Sequence, residues 1–293
     1  MSAVSISVVV ATCNRSQKLR DLLEALLRSD CSNHTWDAWI VDNNSKDDTR
    51  AVVASFVSRE PRIYYVFESV QGKAYALNRV ISQVRGDIVA FTDDDCIPDS
   101  HWINNMATAF AADSELGFVG GRVELFNADD NPTTTRTWPD RRFVSTASDA
   151  LTLIIGCNMA IRRELLRTIG DFDPKITPGS GKDAGFEDLD FIYRAFKKNM
   201  RVEYRPDIVL YHNHGRRSRS DVAELERKYV RGRGSFYAKY IVRGDRAVLK
   251  LAYWEIRSTL KELAKKLLEG KSGKEELKLL SFLFAGAMTR FSK

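Results

Sequence analysis

Short β-branched runs alternate along the first third of the chain with stretches whose apolar residues recur every three to four positions. Residues 5–11 (SISVVVA) form a short β-branched run of the kind that fills a parallel strand buried on both faces. After a polar turn at 12–15, Leu19, Leu22, Leu23, Leu26 and Leu27 fall at helical spacing, with Ser16 expected as the N-cap. A second strand is expected at 36–41, a helix at about 47–59, a strand at 62–67, and a helix at 72–84 with Ala76, Leu77, Val80, Ile81 and Val84 on one side. Residues 87–92 (DIVAFT) read as a fourth strand, interrupted by Asp93, Asp94 and Asp95. Strand and helix alternating with short links predicts a mostly parallel, Rossmann-like α/β sheet flanked by helices.

In such sheets ligands sit beyond the carboxyl ends of the strands. Polar clusters fall at three of those ends: residues 12–15, residues 42–45, and Asp93 to Asp95. The second half is less regular. A strand is expected at 117–125 and a long polar loop at 127–148 near the site. Apolar character resumes at 151–161 around Gly156, Cys157 and Asn158. Residues 173–185, with two prolines and three glycines, read as a mobile loop that helps shape a substrate pocket. A helix at 187–199 should face inward with Leu189, Ile192, Tyr193 and Phe196, and a strand at 201–210 delivers His212 and His214. Beyond Ser218 two or three amphipathic helices are expected, with a glycine-rich break at 231–234.

Composition narrows this picture. The 293 residues are 44% hydrophobic, enough to bury a sizeable core. No apolar run approaches the ~20 residues needed to cross a bilayer, and the amino terminus reads as a strand rather than a leader. The four cysteines lack C-x-x-C spacing, which fits a reducing cytoplasm better than a zinc site or disulfide framework. Charge divides sharply. Residues 215–293 carry 20 Lys and Arg against 9 Asp and Glu, while residues 1–214 carry 25 against 30. An acidic body thus precedes a basic tail suited to phosphates or an anionic surface.

Three constellations carry candidate chemistry. Adjacent carboxylates repel, so Asp93-Asp94-Asp95 calls for a compensating cation, which Mg2+ or Mn2+ supplies through oxygen ligands; a solvated turn capping the next helix is the plain alternative. Glu187 and Asp188 open a helix, where a carboxylate can act as general base or simply favour the helix dipole. His212 and His214 can complete a manganese shell; they are expected on opposite faces of the chain, so that one alone reaches the metal. The segment 178–182 (PGSGK) is not a phosphate loop, because Asp183 replaces the hydroxyl residue. No G-x-G-x-x-G and no G-x-S-x-G is present, which counts against a dinucleotide dehydrogenase and a serine hydrolase.

The segments VVVATCNR, VDNNSKDDT, QGKAYALNRVI, IVAFTDDDCIP, GCNMAIRREL, GFEDLDFIYR and YHNHG, in this order from about residue 6 to residue 215, resemble the family 2 glycosyltransferases. The resemblance implies the GT-A fold over residues 1–215, with a nucleotide-binding half at about 1–98, an acceptor-binding half at about 99–215, and a basic helical extension at 216–293. It implies an inverting, metal-assisted transfer of a sugar from a nucleoside diphosphate, weakly favouring UDP-sugars, to a glycan or lipid-linked acceptor in polysaccharide or glycoconjugate synthesis. Thr12, Asn14, Arg15, Asp42, Lys73, Asn78, Asp93 and Asp94 would surround the nucleotide. Asp95, Asp93 and His212, with His214 as substitute, would hold Mn2+ or Mg2+. Asp188, or its neighbour Glu187, would be the base, and Gly156, Cys157 and Asn158 would border the donor sugar and acceptor. The triple aspartate departs from the family's D-x-D and leaves its register open by one position.

Rival readings are a nucleotidyltransferase, which would want a glycine-rich loop after the first strand, and a degenerate relative kept for its interactions. No nucleic-acid partner is expected, because acidic clusters lie where a backbone would pass. The basic tail is expected either to pack on the core or on a second subunit, or to touch the inner face of a membrane.

Overall fold

A computed structural model describes residues 3–31, 34–177 and 185–291. In chain order the elements are β1 (Ser5–Thr12), α1 (Ser16–Leu27), β2 (Thr35–Asp42), α2 (Thr49–Val57), β3 (Ile63–Phe67), α3 (Lys73–Ile81), β4 (Ile88–Asp93), β5 (Cys96–Pro98), α4 (Trp102–Ala112) and β6 (Leu116–Leu125). There follow β7 (Arg142–Phe143), α5 (Ala147–Thr152), β8 (Met159–Arg162), α6 (Leu166–Ile169), α7 (Glu187–Lys197), β9 (Arg201–His212), α8 (Arg219–Ile241), α9 (Arg246–Leu268) and α10 (Lys274–Thr289).

The strands form one sheet in the order β3-β2-β1-β4-β8-β6-β9-β5, with β7 pairing β9. The first four are parallel, and β8 joins β4 antiparallel, so the sheet is mixed where the chain passes into its second half. Alternation along β1 sends Val8 and Val10 to one face, with Leu22 of α1, Val53 of α2 and Trp102 of α4. Val9 goes to the other, with Leu77 of α3, Phe191 of α7 and Phe236 of α8. Both faces are covered, which is why β1 reads as a β-branched run.

Several expectations change in the folded chain. Ser16 is the first residue of α1 rather than its cap; its backbone N–H donates to Asp47 Oδ2 (2.9 Å), so the cap comes from the β2–α2 turn. The inward face of α7 is shifted: Phe191, Ile192, Tyr193 and Ala195 are buried, while Leu189 and Phe196 are only half-buried. No break interrupts residues 231–234, because α8 runs through them. Its glycines serve helix packing instead. A Cβ on Gly234 would lie 2.1 Å from the Leu283 carbonyl oxygen, and one on Gly286 would lie 1.9 Å from that of Arg231, so α8 and α10 cross backbone to backbone. The expected loop at 127–148 contains β7 and runs past the site. Of the 173–185 loop, residues 178–184, including the PGSGK segment, lie outside the described residues.

Buried polar contacts fasten the helical tail to the body. Asp190, fully buried in α7, accepts hydrogen bonds from Lys239 Nζ (2.6 Å) and Tyr240 Oη (2.9 Å) of α8, and pairs with Arg194 (3.0 Å). Each partner satisfies an otherwise costly buried carboxylate. Nothing in the helical periodicity marks Asp190 as different from its acidic neighbours.

Candidate active site

The carboxyl ends of β1 and β4 open into a cavity of about 420 Å³ whose lining includes Thr12, Arg15, Lys73, Asp93, Asp94, Asp95, Cys157, Glu187, Asp188 and His212. Sequence-distant residues complete it: Thr134 from the long loop, Arg216 from the link after β9, and Lys228 and Tyr229 from α8. The basic tail thus supplies a wall of the pocket.

The three aspartates do different work because the turn aims them differently. Asp93 pairs with Lys73 of α3. Asp94 is buried, accepts from Thr12 Oγ1 (2.8 Å) and pairs with Arg15 (2.9 Å). Burial, reinforced by the charge of Asp95, pushes its carboxyl up to about 6 against the pull of Arg15 and Thr12. Asp95 lies 3.0 Å from Arg15 and 3.3 Å from His212 Nε2. Burial works against its charge, but His212 and Arg15 hold it well below the usual carboxylate range. Burial likewise opposes a charged His212, yet the bond to Asp95 and the field of the acidic cluster push the imidazole up to about 9.

Asp95, Cys96 and His212 place one ligand atom each within 4.8 Å of one another. Burial raises the Cys96 thiol far above its ordinary value; a carboxylate and an imidazole are the donors of this set that suit an oxygen-favouring divalent cation. Thr134 Oγ1 lies 3.0 Å from His212 Nδ1 and fixes the ring with Nε2 toward Asp95. The donor set fits a divalent cation that favours oxygen and tolerates imidazole. His214 is not on the opposite face as expected. Its ring centroid is 5.0 Å from that of His212, since residues two apart on an extended chain share a side. It is nevertheless turned to other partners: Nδ1 accepts from the Arg216 N–H (2.9 Å) and lies 3.8 Å from Asp130.

Glu187 and Asp188 are neighbours in opposite circumstances. Glu187 is 2% exposed, its Oε2 has no hydrogen-bond partner among the described residues, and Lys73 is 3.8 Å from Oε1. Burial, with the charge of Asp188 added, pushes it up to about 8 despite Lys73. Asp188 is only half-buried. Its Oδ2 accepts from the Gly156 N–H (3.1 Å) and its Oδ1 from its neighbour's, Leu189 N–H (2.8 Å). A Cβ on Gly156 would lie 2.2 Å from the Asp188 Cβ, so only glycine lets β8's lead-in come this close.

Asp188 also borders a second cavity, of about 480 Å³, between α5, α8 and α9. Its walls are largely apolar, including Leu151, Ile154, Phe186, Leu225 and Leu251, and Tyr229, Thr134 and Ile155 are common to both cavities. Arg136 projects into it, its guanidinium donating to the carbonyls of Thr152 (2.5 Å) and Thr135 (2.7 Å); burial lowers its pKa.

Besides His214 and Gly156, which sits behind Asp188, four expected residues line neither cavity. Asn14, at φ 55°, accepts from the Lys46 N–H (2.6 Å) and joins two turns of the rim. Asp42 accepts from the Ser45 N–H and the Tyr65 hydroxyl (both 2.9 Å), and its neighbour Asn43 lines the cavity instead. Asn78 exchanges two 2.9 Å hydrogen bonds with the backbone of Phe172. Asn158 is fully buried, donating to the Arg122 and Ile208 carbonyls and accepting from Trp102 Nε1. Periodicity cannot separate a polar side chain that lines a pocket from one that ties the frame beneath it. Thr134, Arg216, Lys228 and Tyr229 were missed because no local pattern distinguishes them.

Known proteins resemble this chain in sequence and fold. Residues 7–170 match the family described as glycosyl transferase family 2. The glycosyltransferase AglE of Haloferax volcanii is 23% identical over 258 residues, covering 85% of this chain and 79% of that one. The beta-monoglucosyldiacylglycerol synthase of Trichormus variabilis is 28% identical over 129 residues, 43% of this chain and 27% of that one. Among solved structures, the mannosyltransferase PcManGT from Pyrobaculum calidifontis, in complex with GDP-Man and Mn2+, superposes with a TM-score of 0.66 at 20% identity, covering 99% of this chain and 88% of that one. S. aureus TarS in complex with UDP-GlcNAc gives 0.58 at 19%, covering 71% and 58%. Both superpositions show a shared α/β fold, and the PcManGT one extends over nearly the whole of this chain, its C-terminal helices included.

Proposed function

The chain belongs to glycosyl transferase family 2, and we propose that it moves a sugar from a nucleoside diphosphate to an acceptor hydroxyl with inversion at the anomeric carbon. The observation that carries this reading is Asp188 standing between two cavities of opposite character, one charged and one apolar. The charged cavity takes the donor. Arg15 and Lys73 lie along its rim, and Arg216, whose Nη1 is buried with no partner among the described residues, adds a cation matched to phosphate oxygens. Asp95 and His212, with Asp93 beside them, would hold Mn2+ or Mg2+, which when bound neutralises the leaving diphosphate. A neighbour solved with GDP-Man and Mn2+ supports this reading.

The acceptor enters from the second cavity. Asp188 takes the proton of its hydroxyl as that oxygen attacks the anomeric carbon, the bond from that carbon to the diphosphate oxygen breaks, and its electrons leave with the nucleotide. The proton ends on Asp188. Glu187, raised to about 8 by burial, holds its own proton at neutral pH and does not serve as the base. Gly156 and Cys157 border the reacting centre, and Asn158 acts from below by positioning them. The acceptor half is the part after residue 98, with α8 completing its wall. An amphiphilic acceptor with an anionic group suits the apolar walls and Arg136, in line with a relative named for making a glucosyl diacylglycerol. Four free thiols and a nucleotide-sugar donor fit action in the cytoplasm.

Calorimetric titration of UDP, GDP and dTDP, each with and without Mn2+, tests the donor site. Metal-dependent binding of one nucleotide, lost in Asp95→Ala, is the expected result and names the donor class. No binding of any of the three by folded protein would overturn the reading.

A further inference from the structure

Thirteen of the twenty-one large apolar side chains exposed among the described residues fall between Ile241 and Phe291, on the last residue of α8, on α9 and α10, and on the segments that flank them. They are ordered. At 100° per residue, Leu249, Tyr253, Ile256, Leu260 and Leu267 occupy one ~60° stripe along α9. Val248, Ala252 and Thr259, the buried residues of α9, lie on the inward side of this stripe. Its outer side carries Arg246, Lys250, Arg257, Lys261 and Lys265. The acidic residues Glu255, Glu262 and Glu269 are on the far flank, where Glu255 is occupied by Arg233 (2.6 Å) and the Tyr237 hydroxyl (2.5 Å). A second apolar stripe, Leu277, Phe284, Met288 and Phe291, is exposed on α10 and just beyond it.

Charge decides what covers these stripes. The spacing along α9 is that of a coiled-coil seam, so a second copy is the obvious rival. Such a seam gains specificity from opposite charges on its flanks. Here the open flank holds Lys250 and Arg257 with no acid, and an antiparallel copy would set base against base. α9 and α10 follow one another with a short link at residues 269–273, and a bilayer accommodates exposed apolar stripes without shape matching. Trp254, 51% exposed beneath the Arg257 guanidinium at 5.2 Å, and Tyr253 are the aromatic types that settle at a membrane–water boundary. Among the described residues no helix is long and apolar enough to cross a membrane.

We propose that α9 and α10 dock the protein on an anionic lipid surface. Their apolar stripes enter the headgroup region, and Lys250, Arg257, Lys261 and Lys265 meet lipid phosphates. The two helices lie on the membrane without spanning it. This inference stands whichever sugar or nucleotide the site uses.

Sedimentation of the full chain with vesicles tests it, comparing phosphatidylcholine alone with phosphatidylcholine containing phosphatidylglycerol. Binding is expected to the anionic vesicles only and to weaken as salt is raised. Trp254→Glu with Leu260→Glu should cut it by ~tenfold or more, and Lys250→Glu with Lys261→Glu should remove the preference for anionic lipid. All four positions are on the outer surface, so an unchanged melting temperature separates lost docking from lost folding. A chain that stays in the supernatant with both vesicles overturns the proposal, as does equal binding that neither variant alters. A dimer by light scattering that Leu260→Glu splits would assign the face to a second copy instead.

Discussion

The two cavities that meet at Asp188 are built by opposite means. The donor side is made of charges that answer one another: Arg15 against Asp94 and Asp95, Lys73 against Asp93, Asp95 against His212. The far side is made of apolar side chains from three helices around Arg136, whose hydrogen bonds run to carbonyls. A lattice of paired charges is pre-organised for a ligand that brings its own charge, since each group is already oriented and little rearrangement remains. A chamber with mostly apolar walls, lined also by Arg136, Arg233, Glu226 and Glu255, has fewer charges already answered by close partners and admits a wider range of shapes. On the proposed reading, the donor would be the substrate specified stringently and the acceptor the one selected more loosely.

The sharpest way to break this comparison is at the shared wall. Asp188→Asn should lower turnover by ~10²–10⁴-fold while leaving nucleotide binding within experimental error. Unchanged turnover would remove Asp188 as the base and leave the two cavities unrelated. Gly156→Ala acts on the same wall from behind, because its methyl must displace Asp188. A loss of ~10–100-fold in kcat, with stability lowered by the ~1–3 kcal/mol typical of overpacking, is expected from parallel assay and thermal melt. A variant that keeps kcat would mean that Asp188 has no required position.

Arg136→Gln sharpens the far side alone. It should raise KM for an anionic acceptor by ~tenfold, with the nucleotide Kd unmoved and KM for a neutral acceptor little changed. Equal effects on both acceptors would make Arg136 a packing residue.

The smallest effect concerns Glu187. Its folded-state pKa of about 8, against an ordinary value of 4.5, means that the folded protein holds this proton more tightly than the unfolded chain does. That contribution to stability is complete below about pH 4.5 and is lost as pH rises through about 8. Glu187→Gln cannot ionise, so its melting temperature should fall less than the parent's between neutral and alkaline pH. Parallel decline of the two curves would show that Glu187 is ionised in the folded state.

What was legible in the residues alone shares one property: it is decided within a few positions along the chain. The β-branched run of β1, the leucine spacing of α1 and the acids closing β4 each follow from local period and turn chemistry, so the parallel sheet and its polar rim could be read before any contact was known. Tertiary structure decided whatever depends on what lies opposite. Period 3.6 says that α7 has an inner face; the packing of α8 against it determined that Asp190 is buried on Lys239, that Glu187 loses its charge, and that Asp188 stays half-open. Thr134 reaches His212 across 78 positions, and Asn78 and Asn158 turned from expected ligands into ties of the frame. Burial and the field at a site arise from contacts distant in sequence, and a local pattern carries neither.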